Sequence, residues 1–264
     1  MSREARSAIV SERADQIEGR HPVREALRSG RPIRRLLVAE GSSGGSVAEI
    51  LDAAREAGIR VDRVPRSRMD RIAASRAHQG VIAEAEPYLY RSWHEALDLA
   101  HASGEPPLLL ALDGITDPGN FGSLLRSAEA AGAHGVLVSK RRAAPVTPVV
   151  TKAAAGALEH LVLDRVPNLA GALAELRERG VWTVGLDAGA PASIWDCELL
   201  AEPVALVVGA EGKGLGRLVA ERADVLVSIP IRGSVGSLNA AVAGAVSLYE
   251  TVRRRSVHHA AHGG

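Results

Sequence analysis

Residues 228–250 read SIPIRGSVGSLNAAVAGAVSLYE, a strand pattern that passes through a small polar loop into a helix pattern. The apolar run that ends at Ile231 is typical of a buried strand. The loop is rich in Gly and Ser, and Gly after a strand lets the backbone approach a ligand closely. The helix consists almost wholly of Ala, Gly, Val and Ser. Such small side chains predict close packing against a neighbouring segment, although an Ala-rich sequence gives the same pattern because Ala is the best helix former.

From Pro107 to the end of this helix, near-continuous apolar runs alternate with helical patterns. This alternation predicts an α/β fold with a mostly parallel sheet that is covered on both faces. In such a sheet, ligands bind at the carboxyl ends of the strands. The predicted strands are LLLALDG (108–114), GVLVS (135–139), HLVLD (160–164), VWTVGLD (181–187), VALVVG (204–209) and VLVSIPI (225–231).

A smaller α/β pattern precedes this region. Strands are predicted at RRLLVAE, IRVDRVP and QGVIAEAE, with helices at SVAEILDAAREAGI and RSRMDRIAAS between them. A segment with one short helix pattern, Pro87, Gly104 and a Pro pair follows and reads as a connector. We therefore expect a flexible tail at residues 1–16, a small domain at 17–86, a linker at 87–106, a larger domain at 107–256 and a disordered tail at 257–264.

Composition limits the class of protein. The 264 residues carry a formal net charge of +1 and contain one cysteine, Cys197, which permits no intrachain disulfide. No apolar run approaches the roughly 18 residues needed to cross a bilayer, and the charged start MSREARSAIVSERADQ is unlike a signal peptide. We expect a cytoplasmic protein with no membrane partner.

Arginine is unevenly distributed along the chain. Six arginines fall between Arg60 and Arg76, against only Asp62 and Asp70 in the same segment. Because arginine binds phosphate bidentately, the cluster is consistent with a surface that contacts RNA. A chain that uses arginine in place of lysine on any solvated face would give the same pattern. Both interpretations stay open from the sequence.

The Gly-rich loops after the strands do not match the common nucleotide motifs. A P-loop needs Gly where Val207 stands and Ser or Thr where Gly214 stands. The run Gly212 to Gly216 has the spacing G-x-G-x-G, which departs from the dinucleotide fingerprint G-x-G-x-x-G and disfavours a nicotinamide-dependent oxidoreductase. Cysteine and histidine spacings typical of metal sites are also missing, so we expect no metal.

Together, the motifs DPGNFGSLLRSAEAAG, VVGAEGKGL and IPIRGSVGSLNAAVA, in this order, resemble the SpoU/TrmH family of RNA ribose 2′-O-methyltransferases in the SPOUT superfamily. The resemblance covers about residues 106–255. The N-terminal domain of the branch that methylates a guanosine of 23S ribosomal RNA is also resembled here, in the stretches IEGRHPVREAL and HQGVIAEAE. The resemblance implies a C-terminal trefoil-knotted domain that binds S-adenosylmethionine, a small N-terminal RNA substrate-binding domain, and a homodimer.

The resemblance also implies roles for individual residues. Arg126 acts on the ribose 2′-hydroxyl, either as a base or by stabilising the alkoxide, and Asn120 positions it. Since guanidinium hardly loses its proton, stabilising the alkoxide or working through an RNA phosphate is favoured. Glu211 anchors Arg126 or the amides of its own loop, while Ser237 and Asn239 cap the last helix and reach the acceptor nucleotide. The backbone groups expected to bind the cofactor belong to Gly209, Ile229 and Leu238.

Three other functions remain open at this point. The same enzyme class could act on transfer RNA, or could methylate the ribosome to give antibiotic resistance, because the motifs do not identify the target nucleotide. The chain could also be a non-catalytic RNA-binding protein of ribosome assembly that has kept the fold and the cofactor pocket.

Overall fold

The computed structural model describes residues 15–74, 78–141 and 143–262, with side chains described up to residue 258. The chain divides into two compact units. The first contains the residues up to 89 together with residues 145–160, and the second contains residues 90–144 and the chain from 161 onward. The predicted flexible tail lies outside the described residues up to position 14, and Asp15 and Gln16 already belong to the first strand.

The first unit is built on a four-stranded sheet in the order β1-β4-β2-β3. Strands β2 and β3 pair in parallel, and β4 runs antiparallel to both β1 and β2. Its core contains Ile17, Leu36, Val38, Ile50 and Val81, all fully buried. The elements are β1 (Asp15–Glu18), α1 (Arg20–Arg28), β2 (Ile33–Ala39), α2 (Gly45–Glu56), β3 (Arg60–Val64), α3 (Arg66–Ile72) and β4 (Val81–Ala85).

Residues 145–160 complete the first unit. The sequence predicts one helix over PVVTKAAAGALE, but the observed helix ends at Ala154 because Ala155 and Gly156 both adopt positive φ. An ideal Cβ at Gly156 would lie 2.7 Å from Cγ of Glu25, so only glycine fits there. The 3₁₀ turn that follows carries Glu159, whose carboxylate pairs with the buried guanidinium of Arg31 at 2.9 Å.

The second unit contains a six-stranded sheet in the order β10-β8-β9-β5-β6-β7. Every adjacent pair is parallel, which confirms the predicted mostly parallel sheet. The strands are β5 (Leu108–Asp113), β6 (Gly135–Ser139), β7 (Val162–Val166), β8 (Trp182–Leu186), β9 (Val204–Gly209) and β10 (Val225–Val227). The helices are α4 (Trp93–Ser103), α5 (Pro118–Ala130), α7 (Leu169–Glu178), α8 (Arg217–Arg222) and α9 (Ala240–His262), with α6 (Pro148–Ala154) lying in the first unit.

Strand β10 is shorter than the sequence predicts. The apolar pattern runs to Ile231, whereas the strand ends at Val227. Strand β10 lies at the edge of the sheet, and Pro230 has no backbone N–H to donate to a neighbouring strand. Residues 229–231 therefore leave the sheet and enter the loop that leads to α9.

Helix α9 packs closely against the unit, as its small residues predict. An ideal Cβ at Gly244 would overlap Cδ2 of Leu124 in α5 and would lie 3.5 Å from Cγ2 of Val208 in β9. The helix reaches His262, past residue 257 where the sequence predicts a disordered tail, because no Gly or Pro follows Gly244 before residue 263. Despite its length, neither α9 nor any other described helix is apolar enough to span a membrane.

Candidate active site

Two adjacent cavities open at the carboxyl end of the parallel sheet. The first, of about 320 Å³, lies between the ends of β8, β9 and β10 and the start of α9, and we call it the α9 cavity. The second, of about 470 Å³, lies between the ends of β5 and β9, and we call it the β5 cavity. Strands β6 and β7 lie on one side of β5, whereas the later strands β8, β9 and β10 lie on its other side. The order in which strands are added to the sheet therefore reverses at β5. Ligands of open α/β sheets bind at such switch points.

The α9 cavity gathers residues that the sequence assigns to the cofactor. It is lined by Gly209, Ile229 and Leu238, together with Glu211 and Ser237. Most of the remaining lining is apolar or glycine, with Asp187 and Lys213 as further charged residues. A largely apolar cavity with a few polar groups is typical of a site for a small organic molecule.

The loop between β10 and α9 leaves its backbone available to a ligand. Within the described part of the chain, no residue from 229 to 238 makes a hydrogen bond, either through its backbone or through its side chain. Backbone N–H and C=O groups are normally paired in a folded protein or exposed to water. The main-chain groups of this loop are therefore available to a ligand in the cavity.

A tight turn after β9 separates the two cavities. Ala210 and Gly214 exchange backbone hydrogen bonds of 3.1 and 2.8 Å, and both Gly212 and Gly214 adopt positive φ. The returning chain passes so close to Gly209 that an ideal Cβ there would overlap the Gly214 carbonyl group. The glycines of GAEGKGLG thus shape this turn, which places Glu211 at the border of the two cavities.

Asn120, Glu211 and Asn239 meet at this border, although they lie far apart in the sequence. The Asn239 amide donates to Glu211 Oε1 at 2.5 Å and to Asn120 Oδ1 at 3.0 Å. The Asn120 amide donates to the other carboxylate oxygen, Glu211 Oε2, at 3.4 Å. Each oxygen of Glu211 therefore accepts one amide hydrogen, and the carboxylate joins the start of α5, the turn after β9 and the start of α9.

Helix caps fix the orientation of this cluster. Asn239 is the N-cap of α9, since its Oδ1 accepts from the backbone N–H groups of Ala241 and Val242 at 2.9 and 3.2 Å. Its Nδ2 must then point toward Glu211. At the other helix, Asp117 caps α5 by accepting from the backbone N–H of Asn120 at 2.7 Å. The amide positions thus follow from local helix-start chemistry.

Arg126 lies apart from this cluster. It is exposed in the third turn of α5, about 9 Å along the helix axis from Asn120. Among the described residues its guanidinium makes no hydrogen bond or ion pair, since the carboxylate of Glu211 is held by the asparagines and Glu129 does not pair with it. The structure therefore joins Glu211 to the two asparagines and leaves the Arg126 guanidinium open to solvent.

Ser237 differs from its predicted structural role. It lines the α9 cavity and is exposed, but it does not cap α9, because Asn239 occupies that position. Its hydroxyl makes no hydrogen bond to any described residue. It is therefore available to a ligand in the cavity.

Several polar residues that line the cavities were not predicted from the sequence. Asp113 lies at the end of β5, is 5% exposed, and its Oδ2 accepts from the backbone N–H of Gly216 at 2.7 Å. Asp187 comes directly after the last residue of β8 and lines the α9 cavity. Lys213 lines both cavities. The signal that could have found the two aspartates is an acidic residue directly at the carboxyl end of a predicted parallel strand.

Family models match both parts of the chain. The model described as the SpoU rRNA methylase family matches residues 107–249. The model described as RNA 2′-O ribose methyltransferase substrate binding matches residues 16–91. The first match contains all three loops of the Asn120–Glu211–Asn239 cluster and both cavities.

Individual proteins are similar over nearly the whole chain. A protein of Bacillus subtilis (strain 168), YacO, described as belonging to the TrmH family of tRNA/rRNA methyltransferases, is 41% identical over 247 residues, 94% of this chain and 98% of the relative. The SpoU methyltransferase AviRb from Streptomyces viridochromogenes, solved with AdoMet, has a TM-score of 0.78 and 28% identity and covers 97% of this chain and 95% of its own.

Two further structures differ in how much of the chain they match. An AdoMet-bound rRNA methyltransferase from Sinorhizobium meliloti, at 25% identity and a TM-score of 0.73, covers 96% of this chain and 90% of its own. A protein whose structure concerns 2′-OH methylation of C/U34 on tRNA, at 30% identity and a TM-score of 0.52, covers 58% of this chain and 99% of its own.

Replacing Gly209 with Ala should lower the free energy of unfolding by about 1 to 3 kcal/mol, because the added methyl group overlaps main-chain atoms that cannot move without opening the turn. Gly236→Ala is the matched control, since an ideal Cβ there meets nothing within 4 Å. Urea unfolding of both variants measures the difference. Equal losses of stability in the two variants would show that the turn has room at Gly209.

Proposed function

The chain belongs to the SpoU rRNA methylase family, and on this premise we propose that it transfers a methyl group from S-adenosylmethionine to the ribose 2′-hydroxyl of a guanosine in 23S ribosomal RNA. The observation that carries the proposal is the position of the Asn120–Glu211–Asn239 cluster at the border of two adjacent cavities. Transfer between two bound molecules requires adjoining sites with a fixed relative geometry.

The residues of the α9 cavity fit S-adenosylmethionine. The adenine ring presents donors and acceptors along its edge, and the unpaired backbone groups of residues 229–238 can satisfy both kinds. Gly209, Ile229 and Leu238 would hold the cofactor through their main chain, while Asp187 and Lys213 offer charges to its ammonium and carboxylate groups. The trefoil knot around this cavity remains a prediction from the family resemblance.

When bound, the cofactor supplies a methyl group on a sulfonium sulfur, which becomes a neutral thioether as the methyl passes to O2′. The chain must hold O2′ in line and stabilise the negative charge that develops as its proton leaves to an RNA phosphate or to water. Arg126 suits this role, because its guanidinium donates hydrogen bonds and keeps its charge. Its lack of a partner among the described residues leaves these donors available to RNA.

Glu211 acts as a positioning residue in this account. Both of its oxygens are occupied by amide donors, so it holds Asn120 and Asn239 rather than the ribose. The cluster keeps the three loops at a fixed spacing, and Ser237, with its free hydroxyl in the α9 cavity, is a further polar side chain that can contact the acceptor nucleotide.

The extent of structural similarity favours ribosomal RNA over transfer RNA. The S. meliloti rRNA methyltransferase covers 96% of this chain, so it includes a counterpart of the first unit. The protein concerned with tRNA position 34 covers 58% of this chain although 99% of its own length is matched. The additional substrate-binding domain of this chain therefore suits the larger ribosomal substrate. Guanosine is proposed as the target nucleotide because the N-terminal motifs resemble the branch that methylates a guanosine.

We also propose that the enzyme is a homodimer with α9 at its interface. Val242, Tyr249 and Val257 are 48%, 53% and 57% exposed. Their spacing of seven and eight residues places them on one side of the helix. A partner subunit would remove this apolar stripe from water.

Incubating the purified protein with S-adenosylmethionine labelled in its methyl group and with unmodified 23S ribosomal RNA or transfer RNA tests the proposed function. We expect label in ribosomal RNA only, and mass spectrometry of the digested nucleosides should find it in 2′-O-methylguanosine. Label confined to transfer RNA would replace the substrate. Cofactor binding without transfer to either RNA would support a non-catalytic assembly protein instead.

Arg126→Ala should lower the single-turnover rate of methyl transfer by about 10²- to 10³-fold, because the charge developing at O2′ loses its donor. Arg126→Lys should recover part of this rate, and the Kd for S-adenosylmethionine should change in neither variant. Arg91→Ala is the control, since Arg91 is also an exposed arginine of the second unit, 48% accessible and paired with Glu95. A normal rate in Arg126→Ala would remove Arg126 from the mechanism.

Analytical ultracentrifugation should find twice the chain mass for the wild-type protein. Tyr249→Arg should raise the dimer dissociation constant by about tenfold or more, because an unpaired charge would enter the interface. Leu218→Arg, at a position 59% exposed on α8, provides the control. Equal dimer dissociation constants for the wild type and Tyr249→Arg would place the interface elsewhere. A wild-type protein with the mass of one chain would remove the dimer.

A further inference from the structure

The arginine-rich segment of the first unit forms a surface that the catalytic site does not use. Of its six arginines, Arg76 lies outside the described residues, and the others lie on β3 and α3. Strand β3 is at the edge of its sheet, so no further described strand of the unit covers this side. Arg63, Arg66, Arg68 and Arg71 are all exposed.

These four arginines differ from the rest of the unit in having no partner among the described residues. Every other described arginine of the unit is engaged. Arg20 donates to Gln79 and Ser46. The arginines that form ion pairs with Asp or Glu are Arg24, Arg28, Arg31, Arg34, Arg35, Arg55 and Arg60. The guanidinium groups of these four arginines therefore keep their hydrogen-bond donors available to a ligand.

The two acidic residues of the same segment do not neutralise the four arginines. Asp62 pairs with Arg35 at 3.7 Å and with Arg60 at 2.8 Å. Asp70 lies 2.9 Å from Nε2 of the buried His78. Since Nδ1 of His78 accepts from the backbone N–H of Gly80, its Nε2 carries the hydrogen that Asp70 accepts. Both carboxylates are thus held by other groups, and the segment keeps an excess of positive charge.

We propose that Arg63, Arg66, Arg68 and Arg71, here called the arginine face, bind the phosphate backbone of the RNA substrate. This proposal rests on the proposed function, which makes RNA the substrate. Guanidinium groups match phosphate oxygens bidentately, and unpaired ones need not break an existing ion pair on binding.

The composition of the arginine face favours phosphate over bases as its ligand. Residues 60–74 contain no Phe, Tyr or Trp on which a base could stack. Phosphate contacts position a nucleic acid without reading its sequence. The arginine face would therefore hold the RNA while the second unit selects the nucleotide, so removing its charge should raise KM for RNA and leave kcat nearly unchanged.

The test compares two triple variants with the same change in charge. The first is Arg66→Gln, Arg68→Gln and Arg71→Gln in one chain. The control is Arg28→Gln, Arg34→Gln and Arg55→Gln, three arginines of the same unit that are 59%, 51% and 77% exposed but are paired with carboxylates. Binding of 23S ribosomal RNA transcribed in vitro is measured over a range of salt concentrations, and methyl transfer is measured on the same RNA.

We expect the first variant to raise the Kd for this RNA and the KM for methylation by about tenfold or more. The slope of log K against log salt should become shallower by about 0.7 for each phosphate that the variant no longer neutralises. The control should change both constants less than about threefold, since its arginines are already neutralised. Replacing Arg66, Arg68 and Arg71 by Lys should recover most of the salt slope, because each Lys keeps the charge.

Equal Kd values for the two triple variants would overturn the proposal, and so would an unchanged salt slope in the first variant. A wild-type protein that binds RNA through the arginine face but transfers no methyl group would contradict the proposed function alone. If the first variant bound RNA normally but no longer bound an acidic protein partner, the arginine face would be a protein-binding surface and the proposal would be wrong.

Discussion

The carboxylate of Glu211 is the group on which the geometry of the candidate site depends. It accepts one amide hydrogen from Asn239 and one from Asn120, and it thereby ties the starts of two helices to the turn after β9. Hydrogen bonds to an ionised acceptor are stronger than those between neutral groups. The cluster thus sets the distance between the α9 cavity and the β5 cavity, which any reaction between two bound molecules requires.

The parallel sheet brings these loops together, and glycine lets them pack. The ends of β5 and β9 are adjacent because the strand order changes direction there, and Gly209 and Gly244 remove the side chains that would keep the turn and α9 away. The loop at residues 229–238 then passes the cavity with its backbone groups unpaired among the described residues. Such close packing of main chain supports the proposal that the cofactor is held by shape and by main-chain hydrogen bonds.

Apolar periodicity was sufficient to predict the parallel sheet, because runs such as those of β5 and β9 are buried on both faces. It could not predict that residues 145–160 join the first unit, since their helix pattern is the same as that of a helix covering the sheet. It missed β1 and α1, whose short segments have few apolar positions. The contact between Asn120 and Glu211, 91 residues apart, was not predicted, because neither spacing nor the family resemblance paired these two side chains. Arg126 was expected beside them, and the structure leaves it outside the cluster.

The most direct test of this account is calorimetric titration of S-adenosylmethionine into the wild-type protein and into Glu211→Gln. Glutamine keeps the size of the side chain but replaces one acceptor oxygen by a donor, so one of the two asparagine amides loses its partner. We expect micromolar binding to the wild type and a Kd raised about tenfold in Glu211→Gln, as for the loss of one hydrogen bond to a charged group. Equal affinities in the two proteins would mean that the cluster does not shape the cofactor site, and no binding to the wild type would contradict the assignment of the α9 cavity.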